Sequence, residues 1–357
     1  QGNLLEDGWQ YPENYEGDSF EKGRYKGNKW GGKFLKAPDI FFKVLEKGDE
    51  EIKQIKNLGD VRRGITTGAN RFFYVTDITD EADIASTEIE NGEFESQEEI
   101  EDSDLKLVEA EYRGEDGIES KNFVIEEEYL KALIKTPREL NSVKVKEEDL
   151  NYHAFMCHEE REDLDRTKAL DYIEHGEEQE YHQRTTLQSK EPWWDLGNKT
   201  WRKNLWPMMH NDRLMAFYNL ERFVVDKNLF EIEYEGERED DFAPCVLSYI
   251  TILSREIIGR SNLGQGALKT EGMDIDKMYV FDPSQLEEET LESMRETIEE
   301  YGRMELPSIF ENLNINRDKP IREQDPEPSD FQRKLDEPIF DALGLSEGER
   351  KEVYWSV

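Results

Sequence analysis

The sequence predicts a mixed α+β fold in which β-sheet lobes pack against helices and two lobes flank a cleft. Alternating apolar and polar residues within 77–128 and 221–234 are typical of strands with one buried face. The most apolar stretch, PCVLSYITILSREIIGR at 244–260, is long enough for a buried helix. A chain of 357 residues with 36% hydrophobic residues can build two domains, each with its own core.

Shifts in composition divide the chain into four regions. Residues 1–28 are rich in glycine and charge, which is typical of a linker. Residues 29–150 are expected to form a β-rich lobe, and residues 151–313 a second lobe that contains the buried helix. Residues 314–357 combine a proline-rich connector with a helical tail. Because the chain does not begin with Met, we expect it to start inside a longer protein, downstream of another domain.

Helix and strand signals can be followed through the first lobe. Asp39 is predicted to cap a short helix that ends at Gly48. Its buried side would carry Ile40, Phe41, Val44 and Leu45. Residues 72–75 are predicted to be a strand, because aromatic and β-branched residues favour sheets. Residues 129–140 favour a helix that is broken before Pro137.

The second lobe opens with a predicted helix at 159–176, which would end at Gly176. Residues 221–234 alternate like two strands joined around 226–228. Farther along, Ser284 and Glu287 resemble a capping box that opens another helix. One face of that helix would carry Leu291, Met294, Ile298 and Tyr301.

The tail after the proline-rich connector is predicted to contain two short helices. Ser346 and Glu349 resemble a second capping box, in which the serine and the glutamate satisfy free N–H groups at the start of the last helix. We find no internal repeat. Residues 314–357 are therefore expected to form a C-terminal connector and helical tail.

The charge of the chain is strongly negative, with 84 acidic against 46 basic residues and a net charge of −38. Such a balance suggests a nucleic-acid mimic, a calcium binder or a protein adapted to high salt. The acids are spread along the whole chain, and no D-x-D-x-D-G calcium loop is present. Halophilic adaptation is the simplest account. The most acidic segment, 77–128, is expected to be a solvated face.

Two cysteines, Cys157 and Cys245, provide no disulfide framework and indicate a reducing cytoplasm. The chain shows no signal peptide and no apolar run of about 18 residues that could span a membrane. His153, Cys157 and His158 lie close together, but their spacing matches no common zinc site. We therefore expect no metal site here.

The stretch DVRRGITTGANRFFYV at 60–75 carries the strongest functional signal. Arg62 and Arg63 can hold a phosphate or a base edge. Gly64 and Gly68 permit a tight turn and close approach of another backbone. Short polar groups that suit a reading loop follow at Thr66, Thr67 and Asn70. An ordinary hairpin with solvated arginines accounts for the same residues about equally well.

A second signal lies between residues 181 and 213, where six basic residues oppose three acidic ones. The segment contains Arg184 and Lys190, and it also holds four of the seven tryptophans: Trp193, Trp194, Trp201 and Trp206. Interleaved basic and aromatic residues suit a nucleic-acid surface. In the alternative interpretation the tryptophans belong to the core, where tryptophan is mostly buried.

Two smaller signals could join the same surface. Lys135, Thr136 and Arg138 form a small basic end after residue 134. The segment SNLGQGALK has a glycine-jointed loop, and its ligand candidates are Ser261, Asn262, Gln265 and Lys269. A lone G-x-G is weak support for a nucleotide site, because no strand-turn-helix fingerprint surrounds it.

Catalytic motifs are missing from this sequence. It has no G-x-S-x-G, Walker loop or H-E-x-x-H, and no Asp/Asn-Pro-Pro-aromatic tetrapeptide of the kind that grips an exocyclic amine for methylation. The closest segments are Asp282-Pro-Ser and Asp325-Pro-Glu-Pro, and both lack the pattern. We therefore expect no catalytic residue and no cofactor site in this chain.

Several blocks in order resemble the C-terminal half of N6-adenine DNA methyltransferases of the Taq/Eco-type restriction–modification superfamily. They are KFLKAPDIFFKVLEK, GDVRRGITTGANRFFYV, LIKTPREL, RTTLQSKEPWWDLG, HNDRLMAFYN and GRSNLGQGALKTEGMDI, with DEPIFDALGLSEGERKEVY at the end. The resemblance covers roughly residues 29–283 and the tail. It implies that a missing upstream domain binds S-adenosylmethionine and methylates a flipped adenine, while this half recognises the target duplex.

The resemblance and the side-chain chemistry together define a predicted DNA face. Arginine would read guanine, asparagine or glutamine would read adenine, and lysine would hold phosphates. The predicted DNA-binding residues are Arg62, Arg63, Thr66, Thr67, Gly68, Asn70, Lys135, Arg138, Arg184, Lys190, Trp193, Trp194, Asn262, Gln265 and Lys269.

The sequence thus predicts a cytoplasmic, halophilic target-recognition region whose partners are double-stranded DNA and its own upstream methyltransferase domain. Alone, the chain should be inactive as an enzyme. An alternative is a protein-interaction or scaffold domain of a defence complex without direct DNA contact. An acidic DNA mimic is a third possibility, and the basic 181–213 segment counts against it.

Overall fold

The computed structural model describes residues 37–114, 117–213, 216–260 and 267–357. The predicted linker at 1–28 lies outside these residues. In the described part the helices are α1 Asp39–Lys47, α2 Asn70–Phe73, α3 Gln97–Glu101, α4 Lys168–Glu178, α5 Phe242–Leu247, α6 Tyr249–Ile258, α7 Gly272–Ile275, α8 Glu288–Tyr301, α9 Ile309–Asn312, α10 Asp330–Ala342 and α11 Glu347–Trp355. The strands of the same residues are β1 Ile52–Gln54, β2 Gly59–Arg63, β3 Tyr74–Asp77, β4 Leu105–Arg113, β5 Ile118–Glu126, β6 Leu130–Ile134, β7 Tyr152–Phe155, β8 Asn204–Pro207, β9 Met209–His210, β10 Phe217–Tyr218, β11 Val224–Val225, β12 Leu229–Tyr234, β13 Leu268–Lys269 and β14 Tyr279–Phe281.

These elements form a mixed α+β fold, which confirms the predicted fold class. A six-stranded sheet has the order β11-β6-β7-β3-β4-β5, and a four-stranded sheet has the order β10-β8-β12-β2. Strand β11 joins β6 in parallel, while the other pairs in both sheets are antiparallel. Two small antiparallel pairs, β1 with β14 and β13 with β9, complete the described sheet structure.

The predicted strands of the acidic segment form the long β4–β5 hairpin, but β4 lies between β3 and β5, so it is not the edge strand that was predicted. Nine residue pairs run in register from Leu105 opposite Glu126 to Arg113 opposite Ile118, and β5 forms the edge of its sheet. Charged residues on an edge strand discourage pairing with another chain. The concentration of acids in this segment therefore fits its position at the border of the sheet.

An aromatic cluster holds the six-stranded sheet to helix α4. Phe72 is 1% exposed, and its ring centroid lies 4.9 Å from that of Tyr172 and 4.7 Å from that of Trp193. Gly176 lies inside α4, where an added Cβ would come within 2.5 Å of the Phe72 ring. The glycine therefore permits close packing against Phe72. The prediction that the helix ends at Gly176 is wrong, because α4 continues to Glu178.

Tertiary pairing overrode local propensity at several positions. The helix predicted at 129–140 does not form: Leu130–Ile134 are strand β6, because Leu130–Leu133 pair with β7 inside the sheet. The predicted strand at 72–75 is split between the end of α2 and the start of β3. The predicted helix at 159–176 begins only at Lys168, where Thr167 caps it by accepting a hydrogen bond from the Leu170 amide.

The segments 221–234 and 244–260 are also arranged differently from the prediction. Both strands of 221–234 form, but β11 pairs with β6 while β12 pairs with β2 and β8. The apolar run at 244–260 is buried as predicted, yet Ser248 divides it into α5 and α6. A backbone in the extended region at Ser248 interrupts the helical path there.

Helix caps were predicted with mixed success. The Ser346–Glu349 capping box is confirmed, and so is the buried side of α1, with Gly48 at its end. Asp39 is the first residue of α1 and not its cap, because Pro38 occupies the N-cap position. The predicted Ser284–Glu287 box is wrong: helix α8 begins at Glu288, and no side chain caps it.

A buried carboxyl group joins helix α10 to helix α6. Asp336 on α10 is fully buried and accepts a hydrogen bond from the Tyr249 amide at 2.8 Å and from Gln332 Nε2 at 3.1 Å. Burial, only partly offset by these hydrogen bonds, raises the pKa of Asp336 from 3.8 to about 7. The neutral form of this side chain therefore suits its position between α6 and α11.

Replacing Asp336 with Asn should change how stability depends on pH. Because the folded state binds this proton more tightly than the unfolded chain, the contribution of Asp336 is fully present below about pH 4 and is lost as the pH rises towards about 7. The free energy of unfolding of the native protein should therefore fall, relative to Asp336→Asn, across that window. Denaturant titrations at a series of pH values measure this difference, and two parallel profiles would contradict the expectation.

Candidate nucleic-acid interface

Strand β2 separates the two arginines of the predicted loop onto opposite faces. In its register with β12, Arg62 lies opposite Glu231 and Arg63 lies opposite Phe230. Arg62 Nε donates to Glu231 Oε2 at 2.9 Å and its Nη2 to Oε1 at 3.0 Å, while Glu231 is 1% exposed. The hydrogen bond to Glu231 raises the pKa of Arg62. Arg62 therefore neutralises a buried carboxylate.

Arg63, in contrast, points towards solvent. Its Nε donates to the Lys227 carbonyl oxygen at 2.8 Å, and its guanidinium lies 6.0 Å from the centre of the Phe230 ring. Among the described residues no carboxylate pairs with it. These contacts orient the side chain while leaving its charge available to a ligand.

The loop of residues 64–70, which we call the glycine loop, follows β2. At Gly68 the backbone has φ +80°, and an added Cβ would come within 2.1 Å of Thr186 Oγ1, so the position requires glycine. Thr67 is buried, and its hydroxyl donates to Asn70 Oδ1 at 2.6 Å. Thr67 and Asn70 thus shape the loop from within, whereas Thr66 is exposed.

A turn that is held in place by Asp226 packs against the glycine loop. Tyr74 Oη donates to Asp226 Oδ2 at 2.8 Å, and the Asn228 amide donates to Oδ1 at 2.9 Å. Burial, reinforced by this carboxylate, raises the pKa of Tyr74. The Lys227 amide donates to the Ile65 carbonyl at 3.0 Å, which ties the turn to the loop. Sequence reasoning missed Lys227, although its place between two predicted strands marked it as a turn residue.

Lys135 and Arg138 approach the same turn from strand β6. Asn228 Nδ2 donates to the Lys135 carbonyl at 3.3 Å, and the Lys135 ammonium lies 3.4 Å from the centre of the Tyr152 ring. The Glu139 carboxylate accepts hydrogen bonds from the backbone amides of Lys135 and Thr136, and these bonds hold residues 135–139 in a turn. Arg138 is exposed. The basic end identified in the sequence therefore lies beside the glycine loop.

Arg184 reaches the glycine loop from the other side. Its Nη1 donates to the Gly68 carbonyl at 3.0 Å, and its guanidinium lies 4.6 Å from the centre of the Tyr181 ring. The side chain remains exposed. Two segments separated by more than a hundred residues are thus brought together at Gly68.

Lys269 is linked to Arg63 through backbone contacts of the short β9–β13 pair. Arg63 Nη2 lies 3.9 Å from Met208 Sδ, and the Thr270 amide donates to the Met208 carbonyl at 2.9 Å. Lys269 forms an ion pair with Glu271 at 2.5 Å. Arg63, Arg184 and Lys269 are therefore connected through one loop and one strand, although Lys269 carries its own carboxylate partner.

Other predicted residues lie inside the fold or outside the described residues. Trp193 and Trp194 are 8% and 4% exposed and pack against each other with ring centroids 6.0 Å apart. Burial lowers the pKa of Lys190, whose ammonium donates to the Asp195 carbonyl at 3.1 Å. These three side chains support the segment that carries Arg184. Asn262 and Gln265 lie outside the described residues.

Some cations of the described residues hold a carboxylate partner and others do not. Many cations elsewhere hold acidic partners; for example, Arg202 pairs with Asp60, Lys203 with Asp240 and Arg238 with Glu288. Around the glycine loop, five exposed or half-buried cations have no carboxylate partner among the described residues. This set, which we call the cation surface, comprises Arg63, Lys135, Arg138, Arg184 and Lys227.

The family model for the C-terminal domain of the type II methyltransferase M.Eco57I matches residues 118–312. These residues make up more than half of the chain, so the chain belongs to this family. Among solved structures it is similar to the type IIG restriction endonuclease BpuSI, with 11% sequence identity and a TM-score of 0.47 over 91% of this chain and 34% of that chain. The chain thus spans about a third of the length of BpuSI. A search of curated proteins finds no match.

The described residues include no helix that is long and apolar enough to cross a membrane. They also include no group of three or more histidine, cysteine or acidic side chains arranged to hold a metal ion. Both cysteines are buried as free thiols, and burial raises the pKa of Cys157 to about 12. The cation surface is therefore the feature that we take as the candidate site.

Separate alanine substitutions of the two arginines should have opposite effects. Arg62→Ala leaves the Glu231 carboxylate buried without its main partner and should cost about 2–3 kcal/mol of stability. Arg63→Ala removes an exposed side chain and should change stability by less than about 0.5 kcal/mol. Denaturant unfolding of both variants measures this difference. Equal losses of stability would contradict the separation of roles.

Proposed function

We propose that this chain recognises duplex DNA as the target-recognition region of a site-specific methyltransferase in a restriction–modification or phage-defence system. Its catalytic partner would be an upstream domain of the same protein, which binds S-adenosylmethionine and methylates adenine at N6. The adenine specificity rests on the resemblance of the ordered sequence blocks, and membership of the M.Eco57I family supports the methyltransferase context. The chain alone would transfer no methyl group.

The observation that carries this proposal is the cation surface. A chain with a net charge of −38 would be expected to cover its few cations with its many acids. Instead, five cations from four separate segments converge around the glycine loop without acidic partners among the described residues. A polyanion is the ligand class that such an arrangement favours.

Different residues of the cation surface would contact different parts of a DNA duplex. Lys135 and Lys227 are point charges suited to phosphate oxygens, which position a duplex without reading its sequence. Arg63, Arg138 and Arg184 can pair with a guanine edge in the major groove through two hydrogen bonds. The exposed hydroxyl of Thr66 adds a donor and an acceptor at the tip of the loop.

The acidic exterior is consistent with DNA binding if the protein works at high salt, as we propose. In about 1 M salt the Debye length falls to about 3 Å, so acids far from the duplex are hardly felt. High salt also weakens the release of counterions that normally drives DNA binding. A binder under those conditions depends on direct hydrogen bonds, stacking and apolar contact.

Removing three cations of this surface should weaken duplex binding without unfolding the chain. We expect the triple variant Arg63→Ala, Arg184→Ala, Lys227→Ala to bind at least about tenfold more weakly, a difference of about 1.4 kcal/mol. The slope of log K against log salt should fall by roughly 0.9 for each phosphate that the variant no longer neutralises. Fluorescence anisotropy with a pool of duplexes of random central sequence measures both quantities.

The matched control removes the same charges elsewhere: Arg238→Ala, Arg333→Ala, Lys351→Ala. These side chains are partly exposed, and each forms an ion pair with an acid. Equal weakening in both triple variants would mean that net charge alone governs binding. An unchanged affinity of the first triple variant would favour the scaffold alternative, in which a protein partner covers the same surface.

Binding of the native chain should persist as salt increases. We expect measurable duplex affinity from about 0.2 to about 3 M KCl, because interactions other than counterion release remain when distant charges are screened. The same anisotropy titration, repeated along the salt series, makes the measurement. Complete loss of binding above about 0.5 M would contradict the proposed adaptation to high salt.

A further inference from the structure

Arg71 directly follows the glycine loop, and its half-buried side chain has no partner among the described residues. Its Nε atom is sealed from solvent and makes no hydrogen bond there. The two outer nitrogens also make no hydrogen bond, but they are not sealed, and no described carboxylate pairs with them. Buried donors are normally paired, and a donor without a partner costs stability. The fold therefore keeps an arginine here whose outer nitrogens can bind a ligand.

Arg71 and Arg184 both lie near Tyr181. The Arg184 guanidinium is 4.6 Å from the centre of the Tyr181 ring. The ring of Phe72, the residue after Arg71, is 5.7 Å from the same ring. Burial raises the pKa of Tyr181, while the positive charges of Arg184 and Arg71 act in the opposite direction. Both guanidinium groups therefore lie within electrostatic reach of one tyrosine side chain.

A carboxylate on strand β4, that of Glu111, also lies within electrostatic reach of Tyr181. It acts in the opposite sense to the two arginines. Within the described structure, however, it forms an ion pair with neither of them. Arg184 Nη1 donates instead to the Gly68 carbonyl at 3.0 Å, which fixes its position without neutralising it. The two guanidinium groups therefore keep more positive charge than this carboxylate can balance.

We propose that Arg71 and Arg184 together bind one phosphate group of the DNA backbone beside the glycine loop. This inference rests on the proposed function and deepens it, because it adds Arg71 to the same site and names its ligand. A guanidinium group stays protonated and can bind a phosphate through two parallel hydrogen bonds. Because the inner part of Arg71 is already buried, little freedom of its side chain remains to be lost on binding.

This assignment narrows the role of Arg184. Its side-chain chemistry allows contact with either a guanine edge or a phosphate, and a phosphate shared with Arg71 selects the second. Phosphate contacts set the position of a protein on a duplex and carry no sequence information directly. Arg71 and Arg184 would therefore fix the register of the duplex, and Arg63 and Arg138 would remain for base contacts.

The test uses the full chain with a duplex that it selects from a random pool, resynthesised with one neutral methylphosphonate linkage at successive positions. We expect one linkage at which the native chain loses about tenfold in affinity, because a phosphate charge is removed there. Arg71→Met and Arg184→Met should each bind the unmodified duplex more weakly and become insensitive to that same linkage. In each variant the slope of log K against log salt should fall by roughly 0.9.

Arg303→Met is the matched control, since Arg303 is exposed after helix α8 and has no acidic partner among the described residues. It should leave affinity and linkage sensitivity unchanged. Arg71→Met should not lower the midpoint of denaturant unfolding, because it removes a buried donor that lacks a partner.

Three results would overturn the shared phosphate site and leave the proposed function standing. They are a lower unfolding midpoint of Arg71→Met, native linkage sensitivity in that variant, and loss of sensitivity at different linkages in the Arg71 and Arg184 variants. A native chain that binds its duplex but is indifferent to every single linkage would have the same consequence. Failure of the native chain to select any duplex would overturn both proposals.

Discussion

A buried carboxylate, Asp226, joins the two main sheets and sets the position of the candidate site. It is 1% exposed, and the Tyr74 hydroxyl and the Asn228 amide donate to its two oxygens. Its own amide donates to the Ile134 carbonyl at the end of β6, and β12 begins three residues later. An unpartnered carboxylate would be costly at this depth, so the turn around Asp226 has little freedom. The glycine loop rests on that turn, and Gly64 allows the approach because an added Cβ would meet the Asp226 carbonyl at 2.3 Å.

The two faces of strand β2 differ in whether an arginine has a carboxylate partner. Where an arginine points inwards, as Arg62 does, the fold provides Glu231 as its partner. Where the neighbouring arginine points outwards, a main-chain carbonyl and an aromatic ring orient it without neutralising it. Backbone carbonyls and rings perform the same task for Arg184 and Lys135. These cations thereby keep their charge without a carboxylate partner among the described residues.

Local patterns predicted those elements whose stability comes from their own sequence. The buried side of α1, the Ser346–Glu349 capping box and the alternating β4–β5 hairpin all form as expected. The failures occurred where distant partners decide. Residues 130–134 have helix-forming side chains, but β7 lies on one side and β11 on the other, so they form a strand. Gly176 looked like the end of a helix until the Phe72 ring was found against it. The tryptophans at 193 and 194 resembled a stacking platform, and the structure places both in the core.

Composition, ordered motifs and the spacing of polar and apolar residues determined the fold class and the family resemblance, and they marked the 60–75 stretch as a candidate site. Composition is a property of the whole chain, and motifs and spacing involve residues that are close in sequence, so all three can be read from the sequence directly. Only the tertiary structure decided which of two adjacent arginines is exposed, and that Lys227 lies beside the glycine loop. Those relations depend on strand register and on contacts between residues far apart in the chain, and a shift of one residue in register would exchange the two faces of a strand.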